Sequence, residues 1–141
     1  EFYSYQYSGI DEDLADLLEV NSEIVLMMYA RADIGIHYEG WSKSKAVSYL
    51  NQFTGDEATA VQIYDVLLEE PAIYLPYAVG YLEIIKLRDI AKESQGDNYD
   101  IKNFHKFMLD IGPAQFGIIE DHMEVWLNSD EDIIQGATSD K

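Results

Sequence analysis

A carboxylate and an imidazole stand four residues apart at Asp33 and His37, and this pair is the best local candidate for chemistry in the chain. Residues at this spacing are neighbours on one face of a helix. A carboxylate in this position can fix the tautomer of the imidazole and raise its basicity. The alternative is a solvated or capping Asp beside a partly buried His near a helix end. The residues alone leave both interpretations open.

A second set of polar groups follows at helical spacing in the uncharged segment downstream: Tyr74, Tyr77, Tyr81 and Arg88. The hydroxyls could donate hydrogen bonds to a developing oxyanion, and Arg88 could bind a substrate carboxylate. The alternative is an aromatic core whose hydroxyls bond to backbone or water, with Arg88 in an ordinary salt bridge. Gly80, inside the same segment, suggests a close approach of another backbone or a ligand.

The chain has no motif for a bound metal or a phosphate. None of the histidines, His37, His105 and His122, is spaced with another as in HExxH. The acidic clusters near Asp13 and Asp130 lack the glycine and terminal Glu of a calcium loop. There is no Gly-rich phosphate loop and no nucleophile elbow. We therefore predict no metal ligands and no complete active site within this chain alone.

The hydrophobic spacing predicts an all-α fold, an irregular bundle of about six helices around a buried central helix at about 72–94. Pro71–Leu82 carries no charge, but it falls short of the about 20 apolar residues that cross a bilayer. We therefore expect this helix to start at Pro71 and to be buried on nearly all sides. Pro76 is expected to bend it or to break it after its first turn.

The remaining pattern predicts one domain. Asn21 or Ser22 is expected to cap a second helix after a short first one. Residues 1–128 are predicted to form a single helical domain, which would be the C-terminal fragment of a longer protein. Residues 129–141 are predicted to be an acidic, loosely ordered tail.

Acidic residues outnumber basic ones by 27 to 9, which gives a net charge of −18. Such a surface repels phosphate backbones and anionic lipids, so we predict no nucleic-acid partner and no membrane partner. The absence of Cys excludes disulfides and fits any compartment. The first nine residues lack the basic start and apolar core of a signal peptide. The missing Met and the aromatic opening EFYSYQY suggest a start partway into a longer protein.

Several segments, in their order and rough spacing, resemble one bacterial family, the domain-of-unknown-function eight-eight-five family. They are RADIGIH at 31–37, GWS at 40–42, Pro71 with Tyr77 and Gly80, Leu87–Arg88, Phe104–His105 and Leu109–Gly112. The resemblance covers nearly the whole chain, from Glu1 to about Leu127. The family is a group of helical proteins similar to zinc metallopeptidases of the gluzincin type.

This resemblance implies that the chain is the C-terminal helical portion of a zinc-metallopeptidase-like hydrolase. The zinc-binding HExxH helix and a Glu-Gly-Trp segment lie upstream in the family, so this chain would hold no zinc and would be inactive alone. Zinc and a peptide substrate are expected in the full-length parent, with the missing N-terminal part as a partner. Glu1 matches a further family glutamate. Whether the chain counts as an enzyme stays open, since it lacks the metal-binding motif.

The resemblance also implies roles for individual residues. His37 and Tyr77 would be catalytic, donating hydrogen bonds to the tetrahedral oxyanion. Asp33 would orient His37, and Gly80 would shape the cleft. The implied substrate-binding residues are Arg88, Trp41, Tyr74 and Tyr81. Where the family more often has Gly-Gln after the proline, this chain has Ala72-Ile73, so contacts from that turn are not carried over.

A function of a different class is a self-contained acidic helical protein-interaction domain without catalysis, whose Tyr and Met side chains serve a partner groove. Both interpretations allow a homo-oligomer, because a fragment of a larger fold would expose apolar surface. An HExxH within about a hundred residues upstream would support the hydrolase. The resemblance favours the bacterial cell envelope or the outside of the cell.

Overall fold

Six α-helices make up the fold in the computed structural model, which describes residues 8–138, with side chains described through residue 128. They are α1 (Glu12–His37), α2 (Lys43–Thr54), α3 (Glu57–Glu69), α4 (Leu75–Gln95), α5 (Ile101–Ile111) and α6 (Phe116–Thr138). A short 3-10 turn, Gly96–Asn98, separates α4 from α5. No strand occurs in residues 8–138. The prediction of an all-α fold with about six helices is confirmed.

Four of the helices begin where a side-chain oxygen accepts a backbone N–H of the first turn, which satisfies one of the amides left unpaired at a helix start. The capping residues are Asp11 for α1, Ser42 for α2, Asp56 for α3 and Asp100 for α5. Because these caps act within three residues, their helix starts follow directly from local sequence.

α1 is one continuous helix of 26 residues, and the predicted cap at Asn21 or Ser22 is wrong. The Ser22 hydroxyl donates to the carbonyl of Leu18 at 2.8 Å, one turn earlier in the same helix. A serine bonded in this way stays inside a helix and does not start one. The chemistry-bearing end of α1 is therefore held by a helix about 39 Å long at 1.5 Å per residue.

α4 starts at Leu75, four residues later than predicted. Residues 71–74 form a turn in which Ala72 has a φ of 65°, in the left-handed region. Pro76 is the second residue of α4, where its missing N–H would have no helical partner in any case. It therefore accompanies the helix start and does not interrupt the helix, which corrects the prediction of a bend or break.

The chain packs as two compact units, residues 1–80 and residues 81–141. In the first unit, α1, α2 and α3 pack against one another. Each contributes apolar residues three to four positions apart, the spacing of one helix face. The buried core consists of Met28, Ala32 and Ile36 from α1, Ala46, Val47 and Leu50 from α2, and Ala60, Tyr64 and Leu67 from α3.

The second unit has its own core, formed by Leu87 and Ala91 of α4, Phe104 and Phe107 of α5, and Ile119 and Met123 of α6. The boundary between the units falls inside α4, between Gly80 and Tyr81. One helix thus belongs to both units. The prediction of a single domain over 1–128 is not tested by this division and stays a prediction.

α4 is more exposed than the predicted central helix. Ala78, Leu87 and Ala91 are buried, but Tyr77 is 69% exposed and Leu82 is 54% exposed. An uncharged run can be apolar without being enclosed, because much of a folded surface is apolar. The prediction that this helix is buried on nearly all sides is therefore wrong.

α6 continues to Thr138, so the backbone of residues 129–138 is helical. The predicted loose ordering of the tail at 129–141 stays a prediction. The last three residues of the tail, like Glu1, lie outside the described residues. Within residues 8–138, no helix is both long enough and apolar enough to cross a membrane.

Candidate functional site

The sequence motif at 31–41 forms the last two turns of α1 and a reversal that folds the chain back on them. The carbonyl of Ile34 accepts the N–H groups of Tyr38 and Glu39, and Gly40 adopts a φ of 67°. A glycine in this left-handed conformation is the usual way to end a helix. The Trp41 N–H then bonds to the carbonyl of Gly35 at 2.8 Å. The turn therefore places the indole against the helix that precedes it.

Gly35 is required by that contact. A Cβ added at Gly35 would lie within 2.7 Å of three ring carbons of Trp41, closer than real Cβ atoms approach other heavy atoms. The glycine that lets a ring approach a backbone is thus Gly35, inside the motif. Gly80 lies within α4, and its predicted role in shaping a cleft stays a prediction.

His37 is held by a backbone carbonyl of another helix. Its Nε2 donates to the carbonyl oxygen of Leu67 in α3 at 2.8 Å. Since a carbonyl only accepts, Nε2 carries the proton and the neutral ring presents a lone pair at Nδ1. The His37 side chain is 29% exposed. The junction of α1 and α3 therefore fixes both the tautomer and the position of this imidazole.

Asp33 lies behind that imidazole as a buried carboxylate. Its Oδ1 is 3.8 Å from Nε2 of His37, beyond hydrogen-bond range, and its side chain is only 2% exposed. Its Oδ2 is buried without a hydrogen-bond partner among the described residues. The hydrogen bond that orients His37 thus comes from Leu67, while Asp33 lies near the ring without a hydrogen bond to it. A buried carboxylate oxygen without a donor is costly and needs a functional or structural explanation.

A second group of charges surrounds Trp41. Glu39 accepts from the Arg31 guanidinium at 3.1 Å and from the Trp41 indole N–H at 2.8 Å. The hydrogen bond from Arg31, with smaller contributions from Trp41 and from the charges of Arg31 and Lys45, lowers the pKa of the Glu39 carboxyl. The cationic groups of Arg31 and Lys45 lie 4.6 and 4.5 Å from the indole centre. Trp41 is therefore the centre of a cation–π cluster.

The predicted tyrosines have different surroundings. Tyr74 precedes α4 and stacks on Tyr29 of α1 with ring centres 4.6 Å apart. Burial, together with the nearby Tyr74, raises the pKa of the Tyr29 phenol. Tyr77 is exposed on α4, and Tyr81 is half-buried in the second unit. The predicted stripe is thus divided: Tyr74 is stacked in the first unit, and only Tyr77 presents an exposed phenol.

Arg88 belongs to the second unit, where its guanidinium donates twice to Oδ1 of Asp89 at 3.1 Å. This is the salt bridge that the alternative interpretation expected. A role in binding a substrate carboxylate stays a prediction.

The model of a known protein family matches most of this chain. Residues 5–123 match the model of a family described as "Bacterial protein of unknown function (DUF885)". The chain belongs to the DUF885 family. This confirms the resemblance to that family, whereas its likeness to zinc metallopeptidases of the gluzincin type stays a prediction.

A solved structure supports the fold of this DUF885 chain. The crystal structure of the "putative lipoprotein" from Colwellia psychrerythraea is similar, with a TM-score of 0.77 and 27% sequence identity. The similarity covers 90% of this chain but only 22% of the Colwellia chain. The DUF885 chain thus spans less than a quarter of the length of that relative. No match was found among curated proteins.

Zinc does not fit the described part of this DUF885 chain. Among the described residues, no group of three or more His, Cys, Asp or Glu side chains could hold a metal ion. Asp33 and His37 are only two such groups, and the Nε2 of His37 already donates to a carbonyl. The zinc that the resemblance implies for the longer protein therefore has no ligand set among the residues that the structure describes.

Sequence reasoning missed two parts of the site. The Leu67 carbonyl gives no sequence signal, because it is a backbone atom on another helix. Lys45 and Tyr49 could have been found, since they share a face of α2 with Ser48 and Gln52 at spacings of three and four residues. Together with Arg31 and Trp41 they line a cleft of about 490 Å³.

Proposed function

We propose that this chain is the C-terminal helical portion of a zinc-metallopeptidase-like hydrolase, in which it contributes oxyanion-binding and substrate-binding groups. The observation that supports this most is the fixed imidazole of His37, with its Nε2–H bonded to Leu67 and a buried carboxylate behind it. An orientation set by a rigid backbone acceptor is what a catalytic imidazole requires. The substrate class proposed is peptides.

The geometry restricts what His37 can do. Because Nε2–H is committed to Leu67, a hydrogen bond to an oxyanion must come from Nδ1–H, which exists only in the protonated ring. The neutral ring would instead accept a proton at Nδ1. We propose the first role, with the protonated ring stabilising negative charge on the substrate oxygen. Tyr77 is proposed as the second donor, since its exposed side chain is accessible to a substrate.

Zinc enters this proposal only as a property of the longer protein. The described residues do not fit the metal, so no step of the reaction is assigned to it here. The N-terminal part of the same protein is the proposed partner that would hold it. The label carried by the Colwellia protein supports a proposed location in the bacterial cell envelope.

The test uses the full-length protein that contains this chain, loaded with zinc and assayed against a mixed peptide library. His37→Gln is expected to lower kcat by about 10²–10³-fold with little change in KM, as loss of one oxyanion donor does. His122→Gln, an exposed histidine of α6 in the second unit, is the matched control and should keep full activity.

Two outcomes would contradict the proposal. One is equal activity of the two histidine variants. The other is absence of peptide hydrolysis by the zinc-loaded full-length protein. The isolated chain gives an independent check, because it should neither hold stoichiometric zinc nor cleave peptides. Tight zinc binding by these 141 residues would count against the assignment of the metal ligands to another part of the protein.

The second candidate is an acidic helical interaction domain, and one feature favours it. A cleft of about 830 Å³ between α5 and α6 is lined by Phe107, Ile118 and Val125 among others, and Val125 is 68% exposed. Exposed apolar grooves of this kind accept partner helices or a second copy of the chain. The histidine comparison separates the two candidates, because an interaction domain gives His37 no role in turnover.

A further inference from the structure

The cleft around Trp41 differs in charge from the rest of this acidic protein. Its volume is about 490 Å³, and it is lined by Arg31, Trp41, Lys45, Ser48, Tyr49 and Gln52. The lining includes two of the nine basic residues of the chain and none of its 27 acidic residues. A cleft without carboxylates in a chain with a net charge of −18 is suited to an anion that the remaining surface repels.

The helix α2 supplies one wall. Lys45, Ser48, Tyr49 and Gln52 lie at positions i, i+3, i+4 and i+7, so their side chains share one face. Each carries a group that can donate a hydrogen bond to an anion. Arg31 of α1 lies over the same indole as Lys45. Donors from two helices therefore converge on one cleft within the first unit.

The charges in this cleft are only partly neutralised. Arg31 is paired with Glu39 at 3.1 Å, whereas Lys45 makes no ion pair within the part of the chain that the structure describes. Two other clefts show the contrast: Lys43 is paired with Asp65 at 2.9 Å, and Lys106 is paired with Asp110. The ammonium of Lys45 lies over the Trp41 ring, and the nearby carboxylate, Glu39, is hydrogen-bonded to Arg31 and to the indole N–H instead.

The rings define the other half of the ligand. Trp41 and Tyr49 meet edge to face with centres 5.3 Å apart, and both are half-buried. Burial raises the pKa of the Tyr49 phenol, with Arg31 opposing it, so the hydroxyl stays protonated and able to donate. The cleft thus combines hydrogen-bond donors and cations with partly covered aromatic surface, which suits a ligand with both an anionic and an apolar part.

We propose that this cleft is a binding site for a small organic carboxylate, in which the carboxylate is carried beside an apolar or aromatic group. Lys45 is the principal cation, with Ser48 and Gln52 as hydrogen-bond donors. The site lies outside the His37 constellation and does not depend on hydrolysis. Its test is equilibrium binding to this chain, so its failure would leave the proposed function standing.

The experiment uses the 141-residue chain with Trp126→Phe, which leaves Trp41 as the only tryptophan. Trp126 stacks on Phe107 in the second unit, and Phe keeps a ring there. N-acetylphenylalanine is titrated against Trp41 emission, and its uncharged amide is titrated in parallel. The acid should produce a saturable change that weakens with added NaCl. The amide should bind about tenfold or more weakly, as loss of a hydrogen bond to a charged group predicts.

Variants locate the interaction. Lys45→Gln should weaken binding of the acid by about tenfold, and Lys45→Arg should restore it, which also shows that the fold is retained. Lys92→Gln is the matched control, because Lys92 also lies over an aromatic ring, 5.7 Å from the centre of Tyr99, but in the second unit. Its affinity should equal that of the parent.

Three results would overturn the proposal. The first is absence of a saturable change with the acid. The second is equal affinity for the acid and the amide, or for the parent and Lys45→Gln. The third is binding of acetate as tight as that of N-acetylphenylalanine, which would show that the apolar group of the ligand contributes nothing to binding.

Discussion

Substituting Gly35→Ala tests the close contact that organises the motif at the end of α1. Gly35 lies in the last turns of that helix, and no positive φ prevents Ala from occupying the position. The obstacle is the ring of Trp41, three of whose carbons lie within 2.7 Å of the added Cβ. The indole must therefore shift or leave its place.

The magnitude follows from two opposing terms. Ala stabilises a helix interior by about 1 kcal/mol relative to Gly. Forcing an extra methyl into a packed contact costs about 1–3 kcal/mol. If the Trp41 ring swings away instead, it loses its cation–π contacts with Arg31 and Lys45, each worth about 0.5–1 kcal/mol at exposed sites. We expect Gly35→Ala to lower the free energy of unfolding by about 0–2 kcal/mol. From its helix position alone, the substitution would raise it by about 1 kcal/mol.

Gly117→Ala is the matched control. Gly117 is the second residue of α6, and a Cβ added there meets no atom within 4 Å. It should leave stability unchanged or raise it slightly. Urea unfolding followed by circular dichroism should therefore give Gly35→Ala a lower free energy of unfolding than Gly117→Ala, by up to about 3 kcal/mol.

Trp41 emission in a Trp126→Phe background gives the second readout, and it should change in Gly35→Ala. A gain of about 1 kcal/mol for Gly35→Ala with unaltered Trp41 emission would refute the reasoning, because it would show that the ring does not lie on the helix backbone.

Two further substitutions test backbone and capping effects. Ala72→Gly should raise the melting temperature slightly. Removing an alanine from the left-handed conformation relieves about 1–2 kcal/mol of strain, whereas the added glycine costs about 0.5–1 kcal/mol of chain entropy. A lower melting temperature would be contrary evidence. Asp56 caps α3 by accepting from the Thr59 hydroxyl and N–H, and these bonds lower its pKa below the ordinary 3.8. Because the folded-state pKa is depressed, this contribution is present above pH 3.8 and is lost as the pH falls through the folded value. Asp56→Asn should therefore be less stable than the parent at neutral pH, and its stability should approach that of the parent in acid. Glu57→Gln controls for the lost charge. A stability difference that does not depend on pH would contradict the capping role of the Asp56 carboxylate.

The sequence was sufficient for features decided within a few residues. The starts of α2 and α3 are features of this kind, because at Ser42 and Asp56 the accepting side-chain oxygen and the donating amide lie on the same turn. It was insufficient at Ser22, where a hydroxyl can either start a helix or bond one turn back within it. Tertiary packing determines which of these two positions a serine occupies, and the residue type alone does not.

The candidate site shows the same division. The pairing of Asp33 and His37 followed from helical spacing, but the acceptor that fixes the ring is a carbonyl 30 residues further along the chain. Backbone atoms are identical in every residue, so no sequence pattern marks the one at Leu67. At Ala72 the sequence resemblance and the structure agree. The resemblance implies glycine at this position, and the observed φ of 65° is a conformation that glycine adopts without strain.

The position of α4 has a practical consequence for anyone who wishes to divide this protein for study. Cutting between the two units, at Gly80, would sever a helix and leave about four amides and four carbonyls at the new ends without helical partners. Cutting directly after Tyr74, where the turn at 71–74 ends and α4 begins, avoids most of that damage, because Ile73 and Tyr74, which pack against the first core, precede the helix. Two shorter polypeptides designed on that turn would each retain whole helices, which makes segmental isotope labelling of either half feasible.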